Sequence, residues 1–313
     1  MNQLKPNSYR IGKDASTQLQ LKIMLLPAVL SIIVFNIVPL FGLIIAFKNY
    51  RPSSGMVGIF TSAWSGLRNF RIIFRNYDFW PMMINTLGIN LLGNFIGIPV
   101  TLAFALMLNE VKNTKLKGMV QTATYMPHFI SWVVYGGLFI TLLSTEGGFV
   151  NTVLVNLGFI DAPIAFMADP KYFWGITVIT GLLKELGWGA ILYLAAMAGI
   201  DQELYEAAMI DGSGRFGKMW HITIPSIKPT LMIMIIFAVS GMLNNNFTQI
   251  YVLQNTLNIS RSQVIDTYIY QIGLQQLQFG TATAVGLTKS ILAVLLLSGA
   301  NWVSKKLIDS GLF

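Results

Sequence analysis

The chain has 313 residues, of which 54% are hydrophobic and only 11% charged, with a formal net charge of +8 and a mean hydropathy of +0.61. That balance excludes an ordinary soluble domain. The absence of cysteine excludes a disulfide framework and any thiolate metal or redox site, and the positive charge is what basic loops beside a membrane produce, with no nucleic-acid partner required.

A helical span needs about 20 apolar residues. Ile23 to Phe47, Phe79 to Asn109, Gly118 to Thr145 and Pro229 to Ser260 carry no Asp, Glu, Lys or Arg, and two further runs are interrupted only by Lys184-Glu185 and by Lys289. Six spans are predicted, at 23–47, 83–108, 119–143, 173–199, 230–253 and 283–304, so the expected class is an all-α polytopic membrane protein.

In chain order, a polar tail at 1–22 carries Lys5, Arg10, Lys13 and Lys22 and lacks a small-x-small cleavage pattern, so the first span is read as an anchor. An outer loop at 48–82 follows, holding Lys48, Arg51, Arg68, Arg71 and Arg75. The last three recur at helical spacing and predict an amphipathic helix lying on the membrane surface. The core is expected at 83–304 and a short tail at 305–313. Lys112, Lys115 and Lys117, then Arg215, Lys218 and Lys228, then Lys305 and Lys306 fall on the same side as the N-terminal tail, which makes both termini cytoplasmic. The basic outer loop opposes that rule, but long loops govern insertion weakly. Its arginines fit lipid headgroups, or an anionic partner or sugar.

Inside the spans, Gly93 and Gly97 form a small-xxx-small pair that predicts close helix packing. His128, after Pro127, reads as an interhelical hydrogen-bonding group; His221 lies in a polar loop, and neither histidine belongs to a metal-ligand set. Lys184 and Glu185 in span four precede Trp188 and Tyr193. Buried ionisable groups either line a water-filled pathway or lock one helix to another, and both readings stay open here. Span five holds Asn244, Asn245, Asn246, Phe247, Thr248, Gln249 and Tyr251. Amides unsatisfied by hydrocarbon predict a break or a pathway-lining face. Amides beside aromatic rings also suit a sugar, which needs hydrogen bonds to hydroxyls and a flat face for its C–H surface. The alternative is interhelical bonding worth about 1 kcal/mol or less per contact. For Lys289, an interface and a cavity remain equally open.

The segment 200–229 is a polar island between spans four and five. Asp201 is placed to N-cap a helix of about ten residues, and Gly212 falls where a left-handed cap ends one. Pro225 and Pro229 then redirect the chain. Gly212 to Gly217 also fits G-x-G-x-x-G, and Gly212 to Lys218 fits the start of a P-loop. Both motifs need a strand leading in, whereas a helix leads in here, and Met219 occupies the P-loop Ser/Thr position. No catalytic constellation is found, so the chain is not read as an enzyme.

The run Glu206-Ala207-Ala208, Asp211-Gly212 and Ile222-Thr223-Ile224-Pro225 resembles the EAA coupling loop of ATP-binding-cassette importer permeases. Gly66-Leu67-Arg68-Asn69-Phe70, Asn85-Thr86-Leu87, Leu194 to Ala208, Gln249 to Leu253, Val264 to Tyr270 and Ala282 to Leu287 are similar to carbohydrate-importer permeases of the maltose-permease type. Within these, permeases of complex-polysaccharide oligosaccharide importers, including alginate- and pectin-fragment systems, are the nearest pattern. Thr248 departs where Asp is frequent, and Gln271 where Arg or Lys is frequent, which puts substrate identity in doubt.

The resemblance implies a type I (MetI-like) transmembrane domain in the bacterial plasma membrane. It implies a second homologous permease, two cytoplasmic ATPase subunits that use ATP and Mg, and an extracytoplasmic solute-binding protein. No cofactor is expected on this chain. Asp201, Glu206, Ala207, Ala208, Asp211, Gly212, Ile222 and Pro225 would then form the ATPase contact. Lys184, Glu185, Trp188, Tyr193, Asn245, Asn246, Thr248, Gln249 and Tyr251 are the candidate substrate pathway. Rival readings are an importer of a phosphodiester or polyamine on the same architecture, or a polytopic membrane enzyme. The enzyme would need an acidic metal-binding pair such as D-x-D, which the sequence lacks.

Overall fold

The computed structural model describes residues 15–308; Lys5, Arg10, Lys13, the Lys305 side chain and residues 309–313 lie outside the described part. Among the described residues the chain is helical, with no strand beyond an isolated bridge between Lys48 and Trp64.

The first span is α1 (Ala15–Ile32), continued through a π turn and a 3-10 stretch that ends at Phe47. Its most apolar window is wholly unburied, and it meets the rest of the chain through Phe41–Phe47, packed on the last helix. The outer loop contains α2 (Arg68–Arg75), whose Asn69 and Ile73 are buried while Arg68, Arg71 and Arg75 face outward. Asn69 donates to the carbonyls of Ala46 (2.8 Å) and Lys48 (3.2 Å) and so ties α2 to the end of the first span.

The second span, α3 (Phe79–Asn109), begins four residues before the expected 83. Pro81 does not delay it, because the first N–H groups of a helix have no partner to lose. The third span is not one helix. It is α4 (Thr114–Phe129) and α5 (Trp132–Leu142), bent by 101°. After a short α6 (Phe149–Asn156) comes α7 (Phe173–Ala198), the fourth span, followed by α8 (Gln202–Ile210).

The fifth span is likewise broken. Residues 215–226 meet α9 (Lys228–Ser240) at a 62° bend, and Gly241 to Asn246 then separate α9 from α10 (Phe247–Leu253). The expected helix at 230–253 therefore ends ten residues after it starts, and the amide run forms the gap instead of a helical face. The chain closes with α11 (Ile265–Tyr270) and α12 (Phe279–Ile308). Among the described residues four helices are long and apolar enough to cross a bilayer, and six if each bent pair counts as one span.

The centre of the fold is α7, with α3 and α4 on its flanks. Gly187 permits the approach of α4: a Cβ there would lie 2.4 Å from the Thr124 carbonyl oxygen. Gly93 and Gly97 do no such work. A Cβ at Gly97 meets nothing within 4 Å, and one at Gly93 only a Val178 methyl at 3.9 Å. The small-xxx-small expectation is corrected; both glycines border open space. One apolar cluster joins Ala105, Ala190, Tyr193, Met197 and Ile227 at the α8 end of α7. Another joins Ile89, Phe173, Ile176, Ile250 and Leu253 at its N-terminal end. At 1.5 Å per residue, those ends lie roughly 39 Å apart.

Candidate functional site

At the C-terminal end of α7, the polar island folds as its residues dictate locally. The Asp201 side chain accepts from Glu203 N (3.0 Å) and starts α8. Gly212 takes φ +77°, and the amides of Gly212 and Ser213 return to the carbonyls of Met209 (3.1 Å) and Ala208 (2.8 Å). The Tyr205 hydroxyl meets Thr223 Oγ1 at 2.9 Å and holds α8 against the π turn Met219–Thr223. Glu206, Ala207, Asp211 and Pro225 are exposed, Ala208 is partly buried, and Ile222 packs inward on the cluster around Tyr193. Beside them stand large apolar side chains in the open, Ile210 at 88% and Phe216 at 84% exposure, with Leu204, Met209 and Trp220 also exposed.

In the middle of the bundle lies a cavity of about 390 Å³ between α3, α7 and α10. The stripe Asn90, Gly93, Asn94, Gly97 and Thr101 on α3 forms one wall, one face of the helix. Glu185, Asn244, Asn246 and Gln249 contribute polar groups from the other side. Asn90 and Asn94 escaped the sequence reading, although their four-residue spacing in an apolar span was a usable signal. Asn90 donates to the Met242 carbonyl (2.9 Å) and so ties α3 to the gap after α9.

The expected pathway residues separate into distinct environments. Lys184 is 2% exposed and does not line this cavity. Its ammonium donates to the carbonyls of Pro127 (2.6 Å), His128 (2.8 Å) and Ile130 (2.6 Å) where α4 ends; of these, Pro127 also accepts from the Ile130 N–H (3.2 Å). Between the two readings left open, lock or lining, its geometry is that of the lock. Glu185 does reach the cavity, and its carboxylate lies 2.7 Å from His128 Nδ1. His128 is thus an interhelical hydrogen-bonding group. Trp188 lies flat on the His128 ring with centroids 4.2 Å apart, and Tyr193 is buried in the cluster near α8; neither lines this cavity.

Around α10, Asn246 caps the helix by accepting from Gln249 N (3.0 Å). Gln249 donates to the Thr177 carbonyl (2.7 Å) and Thr180 Oγ1 (3.1 Å). The backbone N–H of Asn245 donates to Asp266 Oδ2 (3.3 Å), and Asp266 also pairs with Lys289, which settles that lysine as an internal partner. Thr248 is exposed. Tyr251, two residues beyond Gln249 and so on the far side of α10, borders a second cavity of about 520 Å³. Gln254, Asn255, Thr256, Tyr270, Gln271 and Gln275 complete its polar wall. This cavity lies toward the N-terminal end of α7, where Asn255 donates to the Met167 carbonyl (2.8 Å).

Residues 93–309 match the family described as "Binding-protein-dependent transport system inner membrane component". The chain belongs to that family. It is a membrane-spanning permease component of a binding-protein-dependent transport system. Protein LplB of Bacillus subtilis is 39% identical, with 96% of this chain and 95% of LplB covered. The polygalacturonan/rhamnogalacturonan transport system permease protein YteP of the same organism is 38% identical, with 95% and 91% covered. Among solved structures, a chain of a bacterial alginate ABC transporter in complex with alginate pentasaccharide-bound periplasmic protein superposes with a TM-score of 0.86. It is 33% identical and covers 97% of this chain and 100% of that one.

Proposed function

We propose that this permease forms, with a second homologous permease, the membrane pathway of an ATP-driven importer for an oligosaccharide. Two ATPase subunits drive it from the cytoplasm, and a binding protein delivers the sugar from outside. The single observation that carries the substrate class is the lining on either side of α10, amides and aromatic rings inside an otherwise apolar bundle. Hydrogen bonds to hydroxyls and flat faces for C–H surfaces are what a saccharide needs. The alginate and rhamnogalacturonan systems that the chain resembles support the same class.

The α8 end is the ATPase-facing end, which makes both termini cytoplasmic. Asp201 and Gly212 fix the length of α8, Glu206, Ala207 and Asp211 present its outer surface, and Ala208, Ile222 and Pro225 set its seat on the bundle. Exposed Ile210 and Phe216 supply apolar area for a partner to cover. ATP-driven closure of the ATPases on α8 would then rock the spans between inward- and outward-facing states.

The reading is tested by ATP hydrolysis of the complex reconstituted in lipid with its binding protein, adding neutral and uronic oligosaccharides in turn. Stimulation by a sugar supports it, and stimulation only by a polyamine or phosphodiester replaces the substrate class. In the same assay Glu206→Lys and Gly212→Asp are expected to leave the permease in the membrane while uptake falls at least tenfold relative to ATP hydrolysed. Uptake at the normal ratio in both variants removes the docking assignment.

A further inference from the structure

The cavity lined by Asn246 and Gln249 and the one lined by Tyr251 have linings that bear on the kind of sugar. The cavity between α3 and α7 contains one ionisable side chain, Glu185, an acid whose carboxylate lies 2.7 Å from His128 Nδ1. The second cavity contains no acid or base: its polar wall is made of Gln254, Thr256, Gln271, Gln275 and the hydroxyls of Tyr251 and Tyr270.

The cations nearby are committed elsewhere. Lys184 is enclosed by three backbone carbonyls, and Lys289 is paired with Asp266. Arg261 lies over the Trp174 ring, 5.4 Å from its centroid, in a separate hollow with Lys171. Lys48, Arg51 and Arg68 line another hollow, which shares no residue with either cavity.

An oligosaccharide of uronic units carries a carboxylate on every ring. Moving such a charge into a low-dielectric cavity is costly unless a cation meets it, and a like charge raises the cost further. Among the residues lining these two cavities there is no cation, and the one acid is the His128-bound Glu185. A neutral sugar needs the opposite provision, donors and acceptors without charge. In the second cavity Gln254 donates to Ser262 Oγ (3.0 Å), which leaves its carbonyl oxygen free to accept. Gln271 accepts from Gln263 (2.8 Å), which leaves its amide hydrogens free to donate. Tyr251 and Tyr270 meet edge to face at 5.3 Å beside them, an aromatic corner against which a sugar ring can stack.

We propose that the cavity formed by Tyr251, Gln254, Tyr270 and Gln271 is a saccharide site for uncharged sugar units, and that this chain therefore serves an importer of neutral oligosaccharides. The inference rests on the carbohydrate reading above. It separates the chain from the alginate importer of similar fold, whose cargo is an acidic polysaccharide.

The test uses the full complex in proteoliposomes with its binding protein. Uptake and ATPase stimulation are measured with neutral arabino-, xylo-, galacto-, malto- and rhamno-oligosaccharides, and with oligogalacturonate and oligoalginate. Stimulation confined to a neutral member is expected. A uronic member transported as well as the best neutral one overturns the neutral assignment and leaves the carbohydrate reading standing. Silence across the whole panel overturns both.

With the active sugar, Tyr251→Ala is expected to raise the half-saturating concentration about tenfold, and Tyr251→Trp, which keeps a ring for stacking, to restore most of it. Equal loss in both variants assigns Tyr251 to packing and removes the site. Unchanged saturation in Tyr251→Ala removes it too.

Discussion

The third and fifth spans are both interrupted, and the fold closes the two interruptions with opposite charges. Where α4 ends, the freed groups are carbonyls, and the Lys184 ammonium on α7 collects three of them. Where α10 is about to begin, the freed groups are N–H donors, and the Asp266 carboxylate takes that of Asn245. A cation at a helix C-terminus and an anion at an N-terminus each suit the polarity of the backbone there. The two differ in what completes them. Lys184 has carbonyls and the faces of Trp132 and Tyr135 at about 5.4 and 5.5 Å, with no anion in contact, whereas Asp266 is neutralised by Lys289. A broken membrane helix thus needs the matching charge from a different helix, and a counter-ion only when the breakpoint cannot satisfy that charge itself.

The comparison breaks most sharply at Lys184. Lys184→Met strands the carbonyls of His128 and Ile130 and leaves that of Pro127 only the Ile130 N–H, and a loss of about 3 kcal/mol is expected. Denaturant or thermal unfolding of the purified complex measures it, and near-normal stability would mean that the carbonyls find other donors. Lys289→Met is expected to cost about 2 kcal/mol by stranding Asp266. Adding Asp266→Asn should recover at least half of that, since the amide carries no charge to strand. A double variant weaker than the single would show that the carboxylate itself holds the gap. The smallest effect is expected from Asn246→Ala, about 1 kcal/mol for a lost N-cap. A larger loss would place more of the gap's stability in the cap than in the ion pair.

What the sequence discloses follows how local each interaction is. The start and end of α8 are legible because Asp201 and Gly212 act on their own neighbours. The outward-facing arginines of α2 are legible for the same reason, since Asn69 and Ile73 recur on its opposite side. The membrane class follows from composition alone. The break at Ile130 and Ser131 is hidden, because Pro127 lies inside α4 and the carbonyls beyond it are satisfied from a residue 54 positions later. Glu185 and Lys184 are adjacent in sequence yet face a cavity and a carbonyl cage, a division set by which helix lies on each side. Asn90 and Asn94 are hidden because the interleaved Gly93 and Gly97 suggest packing. Those glycines mark space only once α7 is in place. Tyr251 and Gln271 are neighbours across a cavity that no spacing predicts.

The carbonyl cage has a consequence for how the chain enters the bilayer. A lysine in the middle of a span opposes membrane insertion by about 3 kcal/mol. All three acceptors of Lys184 precede it in the chain, so during synthesis they are already in the lipid when α7 emerges. Asp266 has no such advantage, because its counter-ion on α12 is made later. The nascent chain can therefore settle α4 and α7 as each is released, while the region around α10 and α11 must wait for the last helix before its charge is neutralised.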